Sequence, residues 1–154
     1  MPTINIRMLT VSIVNYAMDQ RVLAPDMVYL SFKSYYEENG QHKYRWVYPF
    51  YDASGDSAED LAKQILDNDP KIVGLSLAVA KLVKFHNPNT VIVIGGPDQR
   101  YDYEPDWWQR HHYVDIACNT EAYGEIFWTA LLDEIATGTP QFNRIPWAVY
   151  PRAG

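Results

Sequence analysis

Few residues of this chain are of the kind that performs chemistry, and their spacing points to holding a group rather than transforming one. Cys118 is the one cysteine among 154 residues. A single thiol can form neither an intrachain disulfide, nor a cysteine-only zinc site, nor an iron-sulfur cluster held by this chain alone. Within an apolar strand it reads as a buried, inert thiol. The four histidines are His42, His86, His111 and His112. Adjacent histidines point to different sides of a helix or strand, and no third ligand stands at metal spacing. His111 and His112 are therefore expected at the surface, and His86 in the last turn of a helix, complementing its dipole. Asp98, Asp102, Glu104 and Asp106 read as a solvated loop face, not as paired catalytic carboxylates. No catalytic residue and no metal ligand is expected.

Binding is written more clearly. Gly95-Gly96-Pro97 follows a β-branched run, and without Cβ atoms the glycines would let a ligand approach the backbone; the alternative is a plain tight turn. Ser76, after a second such run, offers a hydroxyl to a ligand nitrogen or phosphate, or caps the following helix. A helix opening at Gly124 brings free N–H groups and the positive end of its dipole, which suits a phosphodiester; Glu121 and Glu125 can cap it at the same time.

These residues are placed by alternating strand and helix segments, the pattern of a parallel sheet covered on both faces. Ile6 to Val14 reads as the first strand. A helix over Pro25–Asn39 follows, with Met27, Val28, Leu30, Phe32 and Tyr35 on an apolar stripe and Gly40 as its C-cap. Lys43–Tyr48 alternates charged and aromatic residues, as an edge strand would. Ser57 and Asp60 have capping-box spacing before Leu61, Ala62, Ile65 and Leu66. Ile72–Leu77 and Val91–Ile94 are continuous apolar runs, the look of central strands buried on both faces. Between them there is room only for a helix of about ten residues. Either that helix is short or a loop is missing from the chain. Val114–Asn119 is the last strand, and a helix from Gly124 to Thr137 ends at Gly138. The expected fold is a flavodoxin-like (Rossmann-like) α/β domain: a five-stranded, doubly wound parallel sheet in the order 2-1-3-4-5, with its ligand at the carboxyl ends of the strands.

Composition narrows the classes. Apolar residues make up 47% and charged residues 21%, as in one globular domain. A net charge of −6 without a basic strip argues against a nucleic-acid partner. No apolar run approaches the ~20 residues of a membrane helix, and the N-terminus lacks the layout of a signal peptide. A soluble, cytoplasmic protein is expected. The aromatic patch Tyr101, Tyr103, Trp107 and Trp108 is either core beneath a loop or a docking surface.

Three pieces in order carry a resemblance: Ile72–Leu77 (IVGLSL), Asn87–Pro97 (NPNTVIVIGGP), and Val114–Trp128 with its Tyr123-Gly124-Glu125. Together they resemble the N-terminal cobalamin-binding domain of cobalamin-dependent radical S-adenosylmethionine enzymes. That family's last motif runs into a GEGE turn, whose first half is replaced here. The likeness spans Ile4–Gly138 and implies a cobalamin-binding domain over 1–140, with 141–154 as a tail or linker toward a partner domain. It implies a module that binds cobalamin and presents it to a radical S-adenosylmethionine domain, in the same or another chain, for methyl transfer. The iron-sulfur cluster and S-adenosylmethionine would belong to that partner. The implied cofactor-binding residues are Asn15, Ser76, Leu77, Gly95, Gly96, Pro97, Asn119, Glu121, Gly124 and Glu125.

Other functions of the same fold fit less well. A flavin site would want a Ser/Thr/Gly-rich phosphate loop after the first strand, where Asn15-Tyr16-Ala17-Met18 stands. A receiver would want an acidic cluster there and an Asp ending the third strand, where Ser76 stands. A degenerate domain that serves only as a protein-interaction scaffold is the remaining alternative.

Overall fold

A computed structural model describes residues 9–13, 27–47, 57–74, 77–94, 105–119 and 123–151. Strands β1 (Leu9–Ile13), β2 (Tyr44–Val47), β3 (Ile72–Gly74), β4 (Val91–Ile94) and β5 (Ile116–Cys118) alternate with helices. The helices are α1 (Met27–Asn39), α2 (Ala58–Asp67), α3 (Leu77–His86), α4 (Pro105–Arg110) and α5 (Gly124–Ala136). A 3-10 turn at Phe142–Arg144 and β6 (Ala148–Val149) follow.

The sheet runs β2-β1-β3-β4-β5-β6. All pairs from β2 through β5 are parallel. β6 pairs antiparallel with β5, through Ala117 with Val149 and Cys118 with Ala148. The expectation of five strands, all parallel, is thus corrected: among the described residues the sheet has six, mostly parallel. Residues 141–151, read as part of a tail, lie against the domain, with Ile145 buried.

The period of two in each central strand sends alternate side chains to opposite layers. Ile72, Val93, Ile116 and Cys118 pack with Tyr36 of α1 and with Phe127, Leu131 and Ile135 of α5. Val73 and Ile92 pack with Leu61 and Ile65 of α2 and Val79 and Val83 of α3. Ile94 and Ala117 continue that second layer with Trp108 of α4. Hence α1 and α5 cover one face, and α2, α3 and α4 the other. The β3-to-β4 crossover is made by the ten-residue α3.

Local devices mostly match the sequence reading. Ser57 Oγ accepts from the Asp60 N–H at 3.2 Å and the Asp60 carboxylate accepts from the Ser57 N–H at 3.0 Å, a closed capping box on α2. The bond from the Ser57 N–H, with a second from the Ser57 hydroxyl to the same carboxylate oxygen at 3.0 Å, holds the Asp60 carboxyl below its ordinary value. Gly138 ends α5 with φ +82, where glycine carries no Cβ penalty. Gly40 has a different reason from the one expected. Its N–H closes α1 on the Tyr36 carbonyl at 2.7 Å, and a Cβ there would collide with the Tyr36 ring.

Candidate functional site

All five parallel strands end on the same edge of the sheet, at Ile13, Val47, Gly74, Ile94 and Cys118. Helices in such a fold run back against the strands, so all five, α1 through α5, begin at this carboxyl edge. Of the anticipated site residues, Leu77, Asn119, Gly124 and Glu125 are described, and all four belong to it. Leu77 opens α3, exposed Asn119 directly follows β5, and Gly124 and Glu125 open α5. Asn15, Ser76, Gly95, Gly96, Pro97 and Glu121 lie outside the described residues. In sequence, Asn15, Ser76, Gly95 and Glu121 come within three residues of the ends of β1, β3, β4 and β5.

The start of α5 is unlike the start of α2. Its N-cap, Tyr123, makes no side-chain capping hydrogen bond. The Phe127 N–H already bonds to the Tyr123 carbonyl at 3.1 Å, while the preceding N–H groups of the first turn have no acceptor within their own helix. Such donors at a sheet's carboxyl edge fit a phosphodiester such as the one in the cobalamin tail. Glu125, a neighbour of those donors, is turned elsewhere: its Oε1 accepts from Ser31 Oγ of α1 at 2.7 Å. Gly124 is buried beneath Phe32, and a Cβ on it would stand 2.8 Å from Phe32 Cζ. That glycine lets α1 and α5 close up, a role its place in a motif did not suggest.

Next to this start lies an aromatic pair. Tyr123 and Trp147 stack with centroids 4.8 Å apart and planes at 14°, and each is about half exposed, 50% and 41%. Trp147 has φ +58, a backbone region that bulky residues seldom adopt. Its carbonyl accepts from the Asn119 N–H at 2.8 Å, which pins the pair to the end of β5.

The histidines lie elsewhere. His42 precedes β2, His86 ends α3 before β4, and His111 and His112 sit between α4 and β5, so all four face the amino end of the sheet. His111 stacks on Trp107 at 4.3 Å and its Nδ1 lies 2.8 Å from the Trp107 carbonyl. Trp108 is buried against Ile94 and Val114, which makes this part of the aromatic patch core. Asp115 works at the amino end as well. Its Oδ2 accepts from Lys84 Nζ and from the Ile92 N–H, both at 2.8 Å, joining α3, β4 and β5. Among the described residues no cluster of three or more His, Cys, Asp or Glu side chains could hold a metal ion, and no helix is long and apolar enough to cross a membrane.

Comparison with known proteins gives partial sequence relatives and a shared fold. Over 100 residues, 59% of its length, the chain is 33% identical to a 2-(S-pantetheinyl)-carbapenam-3-carboxylate methyltransferase of Streptantibioticus cattleyicolor. Over 70 residues it is 34% identical to TokK of Streptomyces tokunonensis, a cobalamin-dependent radical SAM methyltransferase. The chain is thus similar in sequence to a part of two methyltransferases, one of them a cobalamin-dependent radical SAM enzyme. It spans only 14% and 10% of the lengths of these two curated relatives. The solved structure of the cobalamin-dependent S-adenosylmethionine radical enzyme OxsB, with aqua-cobalamin and S-adenosylmethionine bound, superposes with a TM-score of 0.68. That match covers 94% of this chain and 21% of OxsB at 19% identity, a likeness of fold. The apo form of OxsB gives a TM-score of 0.60. No family model matches the chain.

Proposed function

We propose that this chain is a cobalamin-binding module that holds the corrinoid at the carboxyl edge of its sheet and presents the upper face to a radical S-adenosylmethionine domain, for methyl transfer. The observation that carries the reading is the α5 start, where the N-cap Tyr123 makes no side-chain capping bond to the first-turn N–H groups, at the edge where the parallel strands end. Kinship with a cobalamin-dependent methyltransferase and a fold shared with a cobalamin-bound enzyme support it.

When bound, cobalamin supplies the cobalt that carries the transferred group. The chain's own work is binding and orientation. Asn15, Ser76, Leu77 and Asn119 would meet the cofactor from successive strand ends. Gly95, Gly96 and Pro97 would let the tail come close to the backbone, and the α5 N–H groups would receive its phosphate. Glu125, held by Ser31, and Glu121 would border that start. The iron-sulfur cluster and S-adenosylmethionine would belong to a partner domain in the same or another chain, while residues 141–151, with buried Ile145 and β6, stay with the cobalamin-binding domain. The setting is the cytoplasm, with neither nucleic acid nor membrane as partner.

A titration with hydroxocobalamin, followed in the visible spectrum, tests the reading. Saturable change supports it, and Gly96→Leu should weaken that binding far more than it weakens folding. No spectral change would leave the chain a scaffold domain.

A further inference from the structure

We infer that the Tyr123–Trp147 stack is a binding surface for the periphery of the corrin ring, an aromatic rim outside the tail crevice. The inference rests on the cobalamin reading above and adds two residues to that site.

Three observations converge on this pair. The rings lie at the carboxyl edge, because Trp147 is bonded to Asn119 at the end of β5 and Tyr123 is the N-cap of α5. They are stacked on one another, yet each residue remains about half exposed to solvent. Trp147 also holds a left-handed backbone, φ +58, that a bulky side chain opposes and that surrounding contacts must maintain. Backbone held against its preference is concentrated where proteins bind ligands. Packing alone does not account for the arrangement, since neither ring is buried by it.

The chemistry of the rim selects its ligand. Two aromatic faces and an indole N–H suit a broad ring whose edge carries methyl groups and amide side chains: the faces take the methyls, and the indole N–H can donate to an amide oxygen. A corrin has such an edge. The tail, by contrast, is the narrow part that the glycine crevice and the α5 start would take.

The test is equilibrium dialysis of the purified chain and its variants against hydroxocobalamin and, separately, dicyanocobinamide, which keeps the corrin and lacks the nucleotide tail. Trp147→Gly suits a positive φ and so keeps the backbone, while removing the ring. Tyr123→Ala removes the other ring and leaves residue 147 untouched. Each should weaken both corrinoids by roughly three- to tenfold, and Trp147→Phe should restore most of the loss. The Asn119 amide should stay protected from hydrogen exchange in both variants, separating loss of the rim from detachment of β6. Unchanged affinity in Trp147→Gly and Tyr123→Ala overturns the inference and leaves the cobalamin reading standing. So does weakening confined to hydroxocobalamin, which would place the rings on the tail. A wild-type chain that binds neither corrinoid overturns both.

Discussion

The Phe32 ring of α1 lies over Gly124 of α5 so closely that a β-carbon there would stand 2.8 Å from Cζ and 2.9 Å from Cε1. Both atoms belong to a ring that is itself packed against Trp128, with centroids 5.8 Å apart. Gly124→Ala should therefore destabilise the fold by about 1–3 kcal/mol through overpacking. Thermal unfolding should show it as a lower Tm, with Phe32→Leu recovering most of the loss. An alanine variant as stable as the wild type would mean that the two helices separate freely.

Tyr36 makes the pH dependence testable. Its hydroxyl donates to Asp133 Oδ1 at 2.8 Å and accepts from the His42 N–H at 3.2 Å. Burial, then the Asp133 bond and charge, hold it far above the ordinary tyrosine value of 10.0. Tyr44, which donates to the Leu132 carbonyl, is raised by burial and then by the Asp133 charge. A raised pKa means that the native state keeps protons the unfolded state has lost. The stability from both groups is full below pH 10 and falls as pH rises above it. Tyr36→Phe should cost ~1–2 kcal/mol at neutral pH. That difference should shrink under alkaline denaturation; a constant difference up to pH 11 would count against the assignment.

The Asp115 carboxylate joins three elements at the amino end of the sheet, and its side chain is 30% exposed while that of Lys84 is 20% exposed. Asp115→Ala should cost about 1–3 kcal/mol, chiefly because the Ile92 N–H and Lys84 lose their acceptor. Urea denaturation of Asp115→Ala, Lys84→Met and the double variant would read the coupling. Strictly additive losses would show that the ion pair itself contributes nothing.

No histidine of this chain should ligate the cobalt. All four belong to the amino end of the sheet, with the strands lying between them and the carboxyl edge. An electron paramagnetic resonance spectrum of bound cob(II)alamin should therefore be unchanged by His42→Ala, His86→Ala, His111→Ala or His112→Ala. Nitrogen splitting that vanishes in one of them would refute this placement, and with it the position of the cofactor.

Regular parts of the architecture were legible because they have periods. The apolar runs at Ile72 and Val91 and the three-and-four spacing after Ser57 led to the central strands and α2, and the alternation around Tyr44 to the edge position of β2. What stayed hidden has no period. α4 is six residues long, and the adjacent Trp107 and Trp108 go one to a stack on His111 and the other to the core. β6 is two residues set between prolines, too short to alternate. Gly124 reads as a ligand glycine until Phe32 is seen above it. Of the ten anticipated site residues, the structure brings the four described ones to one edge, yet Tyr123 and Trp147 were missed as a pair. Their contact joins positions 24 residues apart in sequence, which no local pattern announces.

The brevity of β6 has a bearing on behaviour in concentrated solution. An open strand edge invites another chain to add to it. Here one margin of the sheet is a two-residue strand with Pro146 just before it and Pro151 just after, residues that cannot donate to an added strand. The opposite margin, β2, displays the exposed Arg45, whose guanidinium reaches the Asn68 carbonyl at 2.8 Å. Both margins are poor templates, so the sheet can keep its rows of hydrogen bonds from spreading into fibrous aggregates between molecules.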